Sequence, residues 1–176
     1  MTKTSVDEES KVALFGFGIT GRAVAEALLK RKASVLVFDD NPDEEMARIS
    51  QAMGVDLCIS NSERGFQEHI NGVDFAIPTP GLPEKHFFFQ AMKKNKIPIL
   101  TEFDLAAQWD QRPILAITGT NGKTTVSTMV HQMLRKSGKI SALAGNTDTP
   151  LVSAIEDEET ETMVVEASSF RLSLSR

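Results

Sequence analysis

The chain has 176 residues, 41% of them hydrophobic and 24% charged, and carries a net charge of −5. That length allows one large domain or two small ones, and the composition is that of an ordinary soluble globular protein. The acidic balance argues against a general nucleic-acid binder, which needs a basic surface to neutralise phosphates, but leaves open a single nucleotide in a pocket.

Residues 1–10 are polar and acidic, without the apolar core of a signal peptide. The apolar run at 12–15 then predicts a strand, and the Ala- and Leu-rich stretch 20–30 a helix. Further strands are predicted at 34–38, 55–59, 73–77 and 97–100, with helices at 43–53, 63–70 and 84–95 between them. Pro42 opens the first of these helices, where its fixed φ is tolerated. A strand–helix alternation of this kind predicts a mostly parallel sheet with helices on both faces. A short helix follows to residue 109, with Thr101 as N-cap, Asp104 in its first turn and Trp109 closing it at the domain junction.

Gln111-Arg112-Pro113 breaks the pattern, which predicts two domains, 1–111 and 112–176. The rhythm restarts with a strand at 114–117 and a helix at 123–136, whose Val126, Met129, Val130 and Met133 recur at helical spacing. A strand at 140–143, a helix at 150–155 and a strand at 163–165 complete the series. The acidic run 156–161 reads as a solvated turn with nothing to order its carboxylates. The fold class is thus α/β: a Rossmann-like parallel-sheet domain followed by a P-loop ATPase-like α/β domain. Only residues 167–176 follow Glu166, so the second sheet is expected to be incomplete, with an open edge that favours self-association. No apolar stretch approaches the ~20 residues that span a bilayer. Cys58 is the only cysteine, which excludes a disulfide framework within one chain and predicts a reducing, cytoplasmic setting without membrane contact.

Two glycine-rich turns carry the chemistry. Gly16-Phe17-Gly18-Ile19-Thr20-Gly21 follows the first strand and opens the first helix, the context that gives G-x-G-x-x-G its meaning. Gly16 permits the tight turn, Gly18 lets backbone amides approach a phosphate, and Gly21 allows helix and strand to pack closely. Asp39 and Asp40 end the second strand, where a carboxylate accepts ribose hydroxyls. On these residues alone the turn reads as a dinucleotide site, with a packing-only glycine turn as the competing reading.

The second turn, Gly119-Thr120-Asn121-Gly122-Lys123-Thr124-Thr125, again lies between strand and helix. It is a shortened form of G-x-x-x-x-G-K-[ST], since Ile117 occupies the position of the first glycine. Loop amides cradle phosphate oxygens, Lys123 reaches the outer phosphates of ATP, and the Thr124 hydroxyl is a ligand for Mg²⁺. Glu166 ends a nearby strand, where P-loop folds keep a carboxylate for the metal.

Other residues weigh less. Cys58 sits in an apolar run and reads as a buried thiol, not a nucleophile. His69, His86 and His131 are scattered without a spaced partner, and His131 reads as a surface residue. Phe87-Phe88-Phe89 reads as core and interface packing.

Together, G-T-N-G-K-T-T at 119–125, G-N-T at 145–147 and E-A-S-S-F at 166–170 resemble the Mur ligase family, the ATP-dependent amide-forming ligases of peptidoglycan synthesis. G-F-G-I-T-G, E-A-S-S-F and Thr79-Pro80-Gly81 look most like its D-glutamate-adding members, whose usual strings are E-L-S-S-F and S-P-G. The resemblance reassigns the first turn from NAD to the UDP part of a UDP-N-acetylmuramoyl-L-alanine substrate. It implies that Gly18, Ile19, Thr20, Asp39, Asp40, Asn41, Thr79, Pro80 and Gly81 line that pocket, and that Asn146 contacts the substrate near its reacting end. It further implies ATP with Mg²⁺ at 119–125, Lys123 and Glu166 in the catalytic roles, and Thr124, Glu166 and Ser168 at the metal.

The implied reaction activates the alanyl carboxylate as an acyl phosphate, which the amine of D-glutamate then displaces. Asn146-Thr147-Asp148 stands where N-I-G is usual, and Ala167 where Leu is usual. The family's remaining central-domain residues and its carboxy-terminal domain, which supply a modified lysine, further metal ligands and the amino-acid site, do not appear. The chain by itself is therefore expected not to complete the reaction. An NAD-dependent oxidoreductase using residues 16–21 and a non-catalytic nucleotide-binding module are the competing readings.

Overall fold

The computed structural model describes residues 5–59 and 63–175. Residues 1–4 of the acidic amino end lie outside them, as does the side chain of Phe170 in the E-A-S-S-F string. The chain folds as two compact units, Met1–Thr101 and Glu102–Arg176.

In the first unit the order is β1 (Lys11–Phe15), α1 (Ile19–Lys30), β2 (Ser34–Asp39), α2 (Glu44–Met53), β3 (Asp56–Ile59), α3 (Glu63–Gln67), β4 (Phe75–Pro78) and α4 (Phe87–Asn95). The four strands form one parallel sheet in the order β3-β2-β1-β4. Phe15 pairs with Phe38 on one side and Pro78 on the other, so β1, β2 and β4 end together. The central strand β1 and its neighbour β4 are buried almost throughout, as expected of a parallel sheet covered on both faces. On one face Phe15, Phe38, Phe66 and Phe88 interlock, with Phe87 and Phe89 packed against them. The predicted core role of 87–89 holds.

Local chemistry sets the helix ends. Asp43 accepts the Met46 amide at 2.7 Å and so caps α2, which Gly54 terminates at φ 70°. The helix expected from residue 84 starts at Phe87, because His86 Nδ1 accepts the Phe88 amide and caps it there. The strand expected at 97–100 reduces to a single bridge between Ile99 and Ala76, since Pro98 has no N–H to donate to a ladder. Cys58, on edge strand β3, is half-buried instead of buried; desolvation, with Asp56 adding to it, pushes its thiol above the usual range and away from nucleophilic duty.

The second unit comprises α5 (Glu102–Trp109), β5 (Ile114–Ile117), α6 (Lys123–Lys136), β6 (Ser141–Gly145), α7 (Leu151–Ala154), β7 (Thr162–Glu166) and α8 (Ser169–Leu174). Its three parallel strands run β5-β7-β6. The unit begins at Glu102, ahead of the boundary expected at residue 112. The reason is local: Glu102 is buried, and its Oε1 accepts the amides of Leu151 and Val152, which fixes α5 on the start of α7. α8 is an element the sequence reading did not anticipate.

Along α6, whose apolar residues recur at helical spacing, Val126, Met129 and Met133 are exposed, Met133 by 67%. β5 is an edge strand, so its Ile114 and Leu115 also stay over 40% exposed, at 41% and 44%. The acidic run 156–161 is the expected solvated turn, exposed except at Thr160, but its backbone and the Asp157 carboxylate are held in place. Arg112 donates to the carbonyls of Ile155, Asp157 and Thr160 at 2.5, 2.6 and 2.7 Å, while the Asp157 carboxylate accepts from Glu159 N and Thr160 Oγ1. Asp110 completes the knot; its hydrogen bonds from the Arg112 guanidinium hold its carboxyl below the usual range.

Candidate nucleotide-binding sites

The first site lies at the carboxyl ends of β1, β2 and β4. The backbone leaves β1 at Gly16 with φ 96°, and a Cβ there would sit 2.1 Å from Thr79 Oγ1. A Cβ on Gly21 would meet the Gly16 carbonyl oxygen at 2.0 Å, so this glycine is required for α1 to approach the turn. Gly18 differs. A Cβ there would meet nothing within 4 Å, so packing does not explain its glycine. Gly18 is exposed and begins α1 with no side-chain cap and no acidic residue in the first turn. The positive end of the helix dipole thus faces no carboxylate of its own first turn, which suits an anion.

The turn brings nine of the predicted residues to one edge. Gly18, Ile19 and Thr20 open α1; Asp39 ends β2, with Asp40 and Asn41 just after it; Thr79, Pro80 and Gly81 follow β4. Asp39 serves the turn itself, its Oδ2 accepting the Phe17 amide at 2.9 Å and its Oδ1 the Asn41 amide at 3.0 Å. Arg22 braces the same turn, donating from Nε to the Phe17 carbonyl at 3.1 Å and pairing with Glu45 at 3.2 Å. Asn146, predicted for the same ligand, belongs to the second unit.

The second site is organised by β7. Glu166 at its carboxyl end pairs in register with Ile117 of β5 and with Gly145 of β6, so the loops 118–122 and 146–150 leave the sheet on either side of it. Gly119 and Gly122 take φ 151° and 76°, and Gly122 starts α6 with no side-chain cap and no acid in the first turn. Lys123 Nζ donates to the Gly119 carbonyl at 2.9 Å, which places the ammonium across the loop. Thr120, Asn121, Thr124 and Thr125 are exposed around it. Gly145, at φ 102°, lets the chain turn so tightly that a Cβ would lie 2.4 Å from the Glu166 carbonyl.

Glu166 itself is buried. Asn146 Nδ2 donates to its Oε1 at 3.3 Å, while Oε2 is buried without a partner. A buried carboxylate oxygen left bare costs about 1–3 kcal/mol, which a cation would relieve. No cluster of three or more His, Cys, Asp or Glu side chains that could hold a metal occurs among the described residues. The donor set expected from the sequence, this carboxylate with the hydroxyls of Thr124 and Ser168, would fit Mg²⁺ carried largely by nucleotide phosphates and water. Ser168 is half-buried at the start of α8, its carbonyl accepting the Leu172 amide. Ala167 is buried, and its amide donates to the Ile117 carbonyl; Asp148 is exposed.

Sequence reasoning missed two partnerships. His86 Nε2 lies 3.1 Å from Asp40 Oδ2, so this histidine has a carboxylate partner 46 residues away. His131, read as a surface residue, is half-buried with Nδ1 2.9 Å from Ser141 Oγ, and desolvation, then Arg135, lowers its pKa.

Comparison with known proteins agrees with this geometry. Residues 117–176 match the Mur ligase middle domain. The UDP-N-acetylmuramoylalanine–D-glutamate ligase of Desulfosudis oleivorans is 35% identical over 177 residues, covering 96% of this chain and 37% of that protein. The Bacillus cereus ligase of the same name is 33% identical over 174 residues, covering 97% and 38%. The chain thus spans well under half the length of these relatives. Two solved structures share the fold. The UDP-N-acetylmuramate:L-alanyl-gamma-D-glutamyl-meso-diaminopimelate ligase of Neisseria meningitides has a TM-score of 0.55 at 15% identity, over 93% of this chain and 55% of that one. A pseudomurein peptide ligase type C from Methanothermus fervidus has a TM-score of 0.52 at 23% identity, over 92% and 33%. With residues 117–176 matched to the family's middle domain and 96% of its length to a 35% identical ligase, the chain belongs to the Mur ligase family.

Proposed function

We propose that this chain carries the UDP-substrate domain and the leading part of the ATP domain of a ligase that adds D-glutamate to UDP-N-acetylmuramoyl-L-alanine in peptidoglycan synthesis. The observation that carries the reading is the second site: a glycine loop and lysine at a helix start, with the half-satisfied Glu166 in register beside it. In this reading the first turn binds the diphosphate of the UDP substrate on the open amino end of α1. Loop 119–125 binds ATP, and Lys123 places its charge on the outer phosphates.

The alanyl carboxylate attacks the γ-phosphorus and ADP leaves, giving an acyl phosphate. The D-glutamate amine then attacks the acyl carbon, losing a proton as phosphate departs. Two anions meet in the first step, so the chain's main contribution is electrostatic and positional, through the loop amides and Lys123. Thr124, Glu166 and Ser168 would hold Mg²⁺, which supplies neutralisation of phosphate charge. Asn146 steadies Glu166, and in this reading it contacts the substrate near its reacting end. The exposed edge of β5 and the stripe on α6 support association through the second unit. Among the described residues no helix is long and apolar enough to cross a membrane, and a cytoplasmic setting is part of the same proposal.

Thermal unfolding with ligand tests the assignment. UDP-N-acetylmuramoyl-L-alanine and Mg-ATP are each expected to raise the midpoint by several degrees at about 100 times Kd, and NADH to leave it unchanged. A shift with NADH and none with the UDP substrate would favour the oxidoreductase reading and sink this one.

A further inference from the structure

The assigned role of the first turn leaves one arrangement unexplained. His86 ends the Thr79–His86 connection and is 11% exposed, its ring packed edge-on to Phe15 at 4.8 Å and tilted against Phe87 at 4.1 Å. Nδ1 accepts the Phe88 amide, so the neutral ring carries its proton on Nε2, facing Asp40 Oδ2 at 3.1 Å. Helix capping needs only the first of these bonds. The second fixes a carboxylate at the carboxyl end of β2, among the residues assigned to the UDP substrate.

The two neighbouring aspartates differ in what they have left to offer. Asp39 is engaged at both oxygens by the amides of Phe17 and Asn41. Asp40 takes only the His86 proton; its Oδ1 has no partner, yet the side chain as a whole is 35% exposed. An ionised carboxylate has about four acceptor positions and loses free energy when one oxygen is kept from both water and protein donors. With Oδ1 closed off, a ligand donor meets the carboxylate at Oδ2, which has an acceptor position beyond the one His86 fills.

We propose that His86 is a positioning residue for the nucleotide ligand: it holds the Asp40 carboxylate as the acceptor for a hydroxyl or imide N–H of the uridine. This rests on reading the first turn as the UDP-substrate site. The two bonds of His86 are separable by substitution. Asparagine reproduces the Nδ1 acceptor and is among the best helix caps, but is too short to reach Asp40. Glutamine reproduces the reach of Nε2 and gives up the cap.

Calorimetry of the full 176-residue chain with UDP, 2′-deoxy-UDP and N3-methyl-UDP tests the proposal. The wild type is expected to bind UDP and to lose about tenfold with the one analogue that lacks the recognised donor. Asp40→Ala should bind UDP about tenfold more weakly and no longer distinguish that analogue. His86→Asn should lose about tenfold in affinity, while His86→Gln keeps affinity within about threefold; both unfold earlier for the lost ring packing, the glutamine variant earlier still for the lost cap. Equal affinity of His86→Asn and wild type, equal losses in the two histidine variants, or a wild type indifferent to both analogues overturns the proposal while the UDP site stands. A wild type that binds no UDP overturns the site and the proposal together.

Discussion

Gly21→Ala is expected to destabilise the first unit by about 3 kcal/mol or more, although alanine is the better helix former. In an ordinary helix the exchange gains up to about 1 kcal/mol. Here the added Cβ would lie 2.0 Å from the Gly16 carbonyl oxygen and 3.3 Å from Thr79 Cγ2, and the nearer atom is backbone. Relief requires α1 to move off the sheet, which pulls Val24, Ala25 and Leu28 from the core. Chemical denaturation of the variant should show an early transition for the first unit, with UDP-substrate binding lost as a consequence. A variant as stable as the wild type would show that the turn tolerates a wider helix approach than its geometry indicates.

The second large effect is on ATP. Lys123→Ala is expected to weaken Mg-ATP binding by about 100-fold, the loss of roughly two charge-assisted contacts to phosphate. The folded state should hardly notice: the lysine is half-exposed, and its described hydrogen bond is to the Gly119 carbonyl. UDP-substrate affinity, which belongs to the other unit, should stay unchanged. Titrating both nucleotides into both proteins checks the separation, and parallel loss of the two affinities would contradict it.

Much of this was legible before any coordinates, for a physical reason. Glycine turns between strand and helix announce themselves because each glycine answers a local demand, for a left-handed φ at Gly16 or Gly122 and for close approach at Gly21. Both sheets follow from alternating apolar runs. What remained hidden depends on contacts distant in sequence. His86 finds Asp40 across 46 positions, and Glu102 finds Leu151 across 49. Neither partnership leaves a spacing pattern, and the second moves the start of the unit to Glu102. The apolar face of α6 was legible from its helical spacing, but periodicity does not tell whether anything covers such a face.

The central claim is that the first glycine turn serves a UDP-linked ligand and not packing alone, and Gly18 tests it most directly. A Cβ at this position meets nothing within 4 Å, so Gly18→Val should change stability by no more than about 1 kcal/mol, the penalty of a poorer N-cap. It should nevertheless obstruct the approach of a diphosphate to the amides of α1. Calorimetry with UDP-N-acetylmuramoyl-L-alanine is predicted to show binding to the wild-type chain and a loss of about 100-fold or more in Gly18→Val. Equal affinity in the two proteins, or no binding to either, would contradict the account.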